Sequence, residues 1–177
     1  MQRIMIIGFS GCGKSTLAQR LGKILGIEST HMDALHWLPG WVESDREHKI
    51  KLLKPVLERD SWIIEGNYFR VLWQERIEKS DTIIFLDYNR FLCLWRVIKR
   101  RIMYNGKTRP DMGKDCKEKL DIEFLRWVIY DGRKKRGKIY GEIKKIKEVY
   151  PDKRIYIFRR NRDAERLLLE TEWIESV

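Results

Sequence analysis

Residues 1–16 read MQRIMIIGFSGCGKST, and the fold is decided there. Ile4 to Ile7 form a short apolar run with the β-branched content of a buried strand. The run breaks at Gly8; Gly8, Gly11 and Gly13 open a turn, and Lys14 through Ala18 begin a helix. The spacing from Gly8 through Gly13 to Lys14 and Ser15 is that of a phosphate-binding (Walker A) loop. Glycines without Cβ atoms let successive backbone N–H groups point at phosphate oxygens. The helix N-terminus adds its unpaired N–H groups and partial positive charge. Gly8, Gly11, Cys12, Gly13, Lys14, Ser15 and Thr16 are the candidate nucleotide-binding residues, with Cys12 as a small filler of the loop. Lys14 is expected to reach the β- and γ-phosphates, and Ser15 to offer its hydroxyl to Mg²⁺. The stretch therefore predicts a nucleoside triphosphate ligand, ATP, bound with Mg²⁺.

The rest of the composition is consistent with a single globular domain of 177 residues. No run is long enough to span a membrane and no signal-peptide pattern opens the chain, so a cytoplasmic, non-membrane protein is expected. Cys12, Cys93 and Cys116 lack metal-ligand spacing, which fits a reducing compartment. A formal charge of +11 favours anionic partners without choosing among nucleotides, phosphorylated substrates and nucleic acid. Much of that charge lies in 96–117 and 133–147.

Outward from the glycine loop, a helix is predicted from Lys14 to Leu25, closed by Gly26. Ile27 to Thr30 reads as a second strand, and Ser44 with Glu47 as a capping box for a helix through Leu53, kinked or restarted at Pro55. Trp62 to Glu65 is a third strand, followed by a short helix with Val71, Leu72 and Ile77 inward. Residues 81–87, DTIIFLD, form the clearest buried strand. Asn89 caps a long helix carrying Leu92, Trp95, Ile98 and Ile102 at helical spacing. Residues 105–119 read as an exposed, mobile segment rich in Gly, Pro, Lys and Asp. Helices are expected over Asp121–Tyr130 and Ile139–Tyr150, separated by Gly132 and Gly137. Arg154 to Phe158 is the last strand, and Asn161 caps a terminal helix. Strands alternating with helices predict a parallel sheet covered on both faces, with a lid between the last two strands.

Three acids fall at or just beyond strand ends, Asp33, Glu65 and Asp87, where open α/β sheets keep their functional groups. A carboxylate there can hold metal waters or accept a proton, and it can equally serve as a cap or turn former. Glu65 and Asp33 rank ahead of Asp87. Arg96 and Arg100 share one helix face, with Arg101 and Arg109 following, and Arg100 is the candidate phosphate clamp. Trp37, Trp41 and Tyr68 are candidates for stacking on a base or sugar, whereas Trp62, Trp95 and Trp127 read as core. His31 and His36 share no metal-ligand motif with other residues.

The order of parts resembles the adenylate-kinase and shikimate-kinase branch of P-loop phosphotransferases, on GFSGCGKST, WIIEGNY and DTIIFLDYNRFLCLWRVIKRR. That resemblance implies that Glu65 takes the metal-water position, Arg96 packs on adenine and Arg100 contacts phosphates. HMD is similar to the shikimate and gluconate kinases, which implies that Asp33 faces the acceptor and metal. Adenylate kinases carry GFPR where this chain has GNYFR, with Arg70 displaced, so adenylate kinase activity as such is not expected. More closely, through about Trp127 the chain resembles a bacterial family of DNA topology modulation (FlaR-type) proteins, on HMDALHW, GWVE, WIIEGNY, GKTRPDM and LDIEFLRW. The family name implies an effect on DNA supercoiling, while its motifs imply nucleotide chemistry.

The combined expectation is a three-layer α/β P-loop fold with a five-stranded parallel sheet in order 2-3-1-4-5 and a helical lid insertion. Residues 1–177 form one kinase-like domain, with an acceptor-side segment at about 33–60 and a lid at about 103–137. It would transfer the γ-phosphate of ATP to an acceptor that the sequence does not name, a nucleoside, a nucleotide or another small molecule. Lys14, Asp33 and Arg100 are the catalytic candidates, Ser15 and Glu65 the metal pair, and Asp33, Trp37, Asn67, Tyr68 and Arg109 the acceptor set. The rival expectations are a nucleotide-regulated DNA-binding protein and a simple ATPase; nucleic acid is not the favoured partner, because no groove-reading motif is visible.

Overall fold

The computed structural model describes residues 1–108, 111–113, 115–116 and 121–176. Strand β1 (Arg3–Gly8) is buried on both faces and forms the centre of the sheet. The other strands are β2 (Ser29–His31), β3 (Trp62–Glu65), β4 (Thr82–Leu86) and β5 (Arg154–Phe158). All pair in parallel, and their order across the five-stranded sheet is β2-β3-β1-β4-β5. This is the expected order 2-3-1-4-5.

The register explains where a site can form. Gly8 lies opposite Leu86, Leu86 opposite Phe158, and Ile6 and His31 both opposite Glu65. The strands therefore end along one carboxyl edge, where an open α/β sheet leaves its crevice.

Alternating side chains build two cores. Ile4, Ile6, Ile63, Ile84 and Leu86 pack on one face with helices α1 (Lys14–Leu25) and α8 (Asn161–Glu175). Met5, Ile7, Trp62, Ile64, Ile83 and Phe85 pack on the other, with Leu53 and Leu57 of α3 (Arg46–Leu57) and Ile139, Ile143 and Ile146 of α7 (Arg136–Val149). A sheet of such apolar strands requires cover on both faces, and these helices supply it.

Between β2 and α3 lie the short helix α2 (Met32–His36) and a hairpin pairing Trp37–Leu38 with Val42–Glu43, which the sequence pattern did not announce. Helix α4 (Trp73–Lys79) follows β3, and α5 (Arg90–Met103) follows β4. After α6 (Ile122–Arg126) the chain winds as a π-helix over Trp127–Asp131 and a 3₁₀-helix over Gly132–Lys135 before entering α7. Gly132 and Gly137 therefore do not break the path; it stays helical and changes pitch.

Several local expectations are corrected. Asp45, not Ser44, caps α3, accepting from the His48 amide at 2.6 Å, while the buried Ser44 hydroxyl donates to the Leu35 carbonyl. Pro55 sits in the last turn of α3, and the helix runs through it to Leu57. Asn161 is the first residue of α8 rather than its cap; the Asp163 carboxylate accepts from the Arg159 and Arg160 amides instead. Helix α5 turns Cys93 and Val97 inward and leaves Trp95 61% and Ile102 72% exposed. Trp127, expected in the core, is also 41% exposed. In the segment read as exposed, Asp111, Met112 and Cys116 are buried. Asn89 does cap α5, accepting from the Phe91 amide at 2.8 Å.

Candidate functional site

The phosphate loop joins β1 to α1. Gly13 caps α1 at φ +91 and offers no side-chain cap, so the first amides of the helix remain open to an anion. Gly11, at φ +78, lies so close to α5 that a Cβ there would stand 2.4 Å from the Cys93 carbonyl oxygen. Cys12 is buried, and burial pushes its thiol up to about 11, so at neutral pH it is an uncharged filler. Its carbonyl accepts from Arg96 Nη1 at 2.9 Å. Nη2 of that guanidinium donates to Asn161 Oδ1 at 2.6 Å, and its central carbon lies 5.3 Å from the Tyr88 ring centroid. Arg96 thus ties the loop to the start of α8.

Lys14 and the strand-end acids form the next layer. Lys14 Nζ donates to the Phe9 carbonyl at 3.4 Å. Burial lowers its affinity for a proton, but the fields of Cys12 (once ionised, at high pH) and of the Glu65 and Asp33 carboxylates outweigh it and leave the ammonium above its ordinary pKa. The Glu65 carboxylate is 2% exposed; Oε1 accepts from Ser15 Oγ at 3.0 Å and meets His31 Nδ1 at 3.1 Å. Ser29 Oγ lies 3.2 Å from the other ring nitrogen of His31. Burial opposes the charge on His31, and its hydrogen bond to Glu65 more than offsets that, shifting the imidazole upward.

The hydroxyl of Ser15 and the carboxylate of Glu65 are hard oxygen donors, the set that suits Mg²⁺. No group of three or more His, Cys, Asp or Glu side chains able to hold a metal exists among the described residues. Mg²⁺ fits that sparse set, because it keeps several waters and takes substrate phosphate oxygens as ligands.

Asp33 sits in the first turn of α2, and its Oδ1 accepts from Tyr68 Oη at 2.7 Å. Burial, followed by the Asp33 charge, raises the Tyr68 phenol far above its usual range, so it remains a donor. Asn67 brackets the glycine loop: its Oδ1 accepts from the Gly8 amide and its Nδ2 donates to the Gly8 carbonyl, both at 3.0 Å. On α3, the buried Lys49 ammonium lies 2.7 Å from His36 Nδ1 and 3.5 Å from Glu43.

A cavity of about 820 Å³ joins these parts. It is lined by residues 10–17 of the loop and α1, by Tyr88, Arg96 and Arg100, and by Asp33, Trp37 and Trp41. Gly8, Asn67 and Tyr68 stand behind the lining rather than in it. Arg109 lies outside the described residues. The third strand-end acid faces elsewhere: Asp87 accepts from Arg136 Nη2 at 2.7 Å and Tyr140 Oη at 2.8 Å, with Arg133 at 3.8 Å.

Other polar contributors escaped the sequence reading. His31 had no motif around it and is identified only by its register opposite Glu65. Arg76 is fully buried, donates to the Gly66 carbonyl at 2.6 Å, and is lowered by burial to about 10. Arg133 lies 4.0 Å over the Phe9 ring of the loop and donates to Cys93 Sγ at 3.2 Å.

No family model matches the chain, and no curated protein matches it. Solved structures do. The shikimate kinase from Acinetobacter baumannii in complex with shikimate superposes with a TM-score of 0.60 at 17% identity, over 99% of this chain and 94% of that one. The shikimate kinase from Bacteroides thetaiotaomicron gives 0.56 at 16% identity, covering 99% of both chains. A gluconokinase from Sinorhizobium meliloti 1021 gives 0.51 at 14% identity, over 99% of this chain and 91% of the other. The chain thus shares the fold of P-loop kinases.

Proposed function

We infer that this chain is an ATP-dependent phosphotransferase that moves the γ-phosphate of ATP to a small-molecule acceptor. One observation carries the reading: a single cavity runs from the open amides at the start of α1, past Lys14 and Ser15, to the Asp33 carboxylate. Phosphoryl transfer needs an anion cradle, charge neutralisation and a second site in line with the first. Residues 1–177 act as one kinase-like domain, with the acceptor side at about 33–60 and the lid at about 103–137.

The amides of residues 11–16 and Lys14 hold the phosphates, and Arg96 and Arg100 flank them from α5. Ser15 and Glu65 would hold Mg²⁺, which neutralises phosphate charge when bound. Arg109 is assigned to the acceptor from the lid. Asp33, fixed by Tyr68, receives the proton of an acceptor hydroxyl. In that step the hydroxyl oxygen bonds to the γ-phosphorus, the bond to the β–γ bridging oxygen breaks, and its electron pair leaves with ADP.

The motifs that resemble those of DNA topology modulation (FlaR-type) proteins fit nucleotide chemistry. The charge of +11 favours the rival reading, DNA binding. Within 133–147, however, Arg133 turns inward over Phe9 and Arg136 toward Asp87. ADP formation in the purified chain decides. Release that depends on an added acceptor, and falls at least a hundredfold in Asp33→Asn, supports transfer, taking general-base catalysis at roughly 10²–10⁴-fold. ADP release indifferent to every acceptor, with DNA retention falling steeply with salt, would replace this reading with its rival.

A further inference from the structure

We propose that the acceptor is a hydroxyl-bearing molecule with a flat face, of the nucleoside class; this rests on the phosphotransferase reading above. The acceptor-side segment contributes Asp33, Trp37 and Trp41 to the cavity and, among the described residues, no cation. The cationic lining residues Lys14, Arg20, Arg96, Lys99 and Arg100 come from α1 and α5, on the nucleotide side. Lys49 is engaged by His36 and Glu43 and does not line the cavity. Asp33 is thus the one charged group that residues 33–60 turn to the cavity.

The aromatic wall supplies the attraction. The Trp37 and Trp41 ring centroids lie 5.3 Å apart at 65°, and both rings are partly exposed to the cavity. Behind Trp37 stands His36 at 4.5 Å, and behind His36 the Tyr68 ring at 4.9 Å. The hairpin that carries both tryptophans is held from the lid side: Cys116 Sγ donates to the Leu38 carbonyl at 3.3 Å, and a Cβ on Gly113 would stand 2.0 Å from the Trp37 carbonyl.

Trp41 itself adopts φ +67, a left-handed conformation that a bulky side chain rarely takes. Strained backbone of this kind persists where the surrounding structure enforces it, and such places cluster at ligand clamps. A rigid pair of indoles beside a hydroxyl-directed carboxylate fits a base stacked on the wall and a sugar hydroxyl at Asp33. The cavity volume of about 820 Å³ lies in the upper part of the ~300–1,000 Å³ range of ligand sites, consistent with two bound molecules. Transfer leaves a nucleoside monophosphate and ADP, with the hydroxyl proton passing to Asp33.

The test uses the full chain saturated with a non-hydrolysable ATP analogue. Tryptophan fluorescence is titrated with nucleosides, with nucleoside monophosphates, and with the carboxylate polyols shikimate and gluconate; ADP formation from ATP is measured with each. Nucleosides are expected to quench the indoles and to support turnover. Trp37→Leu and Trp41→Leu should each raise the nucleoside KM by about tenfold while changing kcat less than threefold, since base stacking is worth roughly that in affinity. Preference of the wild-type chain for a carboxylate polyol or a monophosphate would overturn the proposal, even if neither variant folds. So would nucleoside turnover indifferent to both tryptophans. ATP binding with neither quench nor turnover on any nucleoside defeats this inference alone, whereas ATP binding unchanged in Lys14→Ala defeats the phosphotransferase reading beneath it.

Discussion

Replacing Asp87 with Asn should destabilise the fold and leave nucleotide binding intact. The Asp87 side chain is 2% exposed and takes Arg136 at 2.7 and 3.1 Å, Tyr140 at 2.8 Å and Arg133 at 3.8 Å. Asn fills the same volume, so no cavity term enters. What is lost is charge. Arg136 is 53% exposed, so water replaces much of its partner; Arg133 is 11% exposed and becomes a buried cation without its counter-charge. A full break of a buried pair costs about 3–5 kcal/mol, and the half-exposed Arg136 reduces that to about 2–4 kcal/mol. For a chain of this length, where 1 kcal/mol is worth roughly 2–4 °C, Tm should fall by about 4–16 °C. Calorimetry on Asp87→Asn, Arg136→Met and the double variant should give a coupling energy above roughly 1 kcal/mol. A Tm unchanged to within about 2 °C would refute the argument. A folded Asp87→Asn that loses ATP affinity would refute it differently, by moving Asp87 into the site.

Gly11→Ala should push the loop off α5, because the new Cβ would meet the Cys93 carbonyl at 2.4 Å and Val97 Cγ2 at 2.9 Å from a backbone at φ +78. The expected outcome is a loss of roughly 1–3 kcal/mol in a thermal melt, with weaker ATP binding by calorimetry. Asp81 accepts from the Gln2 and Arg3 amides at 2.7 and 2.8 Å; burial opposes its charge, but these bonds and the Thr82 hydroxyl hold it below its ordinary 3.8. A carboxyl with a depressed folded pKa contributes stability that is present above its unfolded value and lost as pH falls through the folded one. Asp81→Asn should therefore flatten the stability curve below about pH 4, and urea titrations across that range measure it. Arg76 Nε and Nη1 have no hydrogen-bond partner among the described residues, and the guanidinium carbon lies 5.5 Å from the Trp73 ring centroid. Arg76→Met should thus stay within about 1.5 kcal/mol of the parent, while Arg76→Ala loses about 2–5 kcal/mol, and urea unfolding separates the two.

The fold was legible because its strands and helices are short-range patterns. The run at 4–7, the strand at 62–65 and the run at 82–86 each bury both faces, and the glycine spacing between β1 and α1 has one structural solution. Helix α5 shows where such patterns fail. Apolar residues at 91, 92, 95, 98 and 102 offered one face, and Cys93 with Val97 offered another. Contact with the glycine loop selects the second. Gly11 packs against the Cys93 carbonyl and Val97, while Trp95 lies on the outer face. That choice depends on what packs against the helix, so helical periodicity alone cannot make it.

The acids at the strand ends make the same point about chemistry. Glu65 and Asp87 each close an apolar strand and look alike in the chain. Their partners separate them. Glu65 meets Ser15 and His31 at the sheet edge, whereas Asp87 is claimed by an arginine 49 residues away. That arginine opens α7, after the helical path has passed through π and 3₁₀ turns over Trp127–Asp131 and Gly132–Lys135. Changes of pitch shift every later side chain out of the i, i+3 and i+4 positions that a regular helix would give. Arg133 and Arg136, counted in sequence as part of a basic stretch, follow the π turn and both reach Asp87. A strand-end acid is therefore open to functional assignment only once the cations of the helices that pack beside it have been placed. Asp33 differs from Asp87: among the described residues it accepts from the neutral Tyr68 hydroxyl, and it lines the cavity that Asp87 does not.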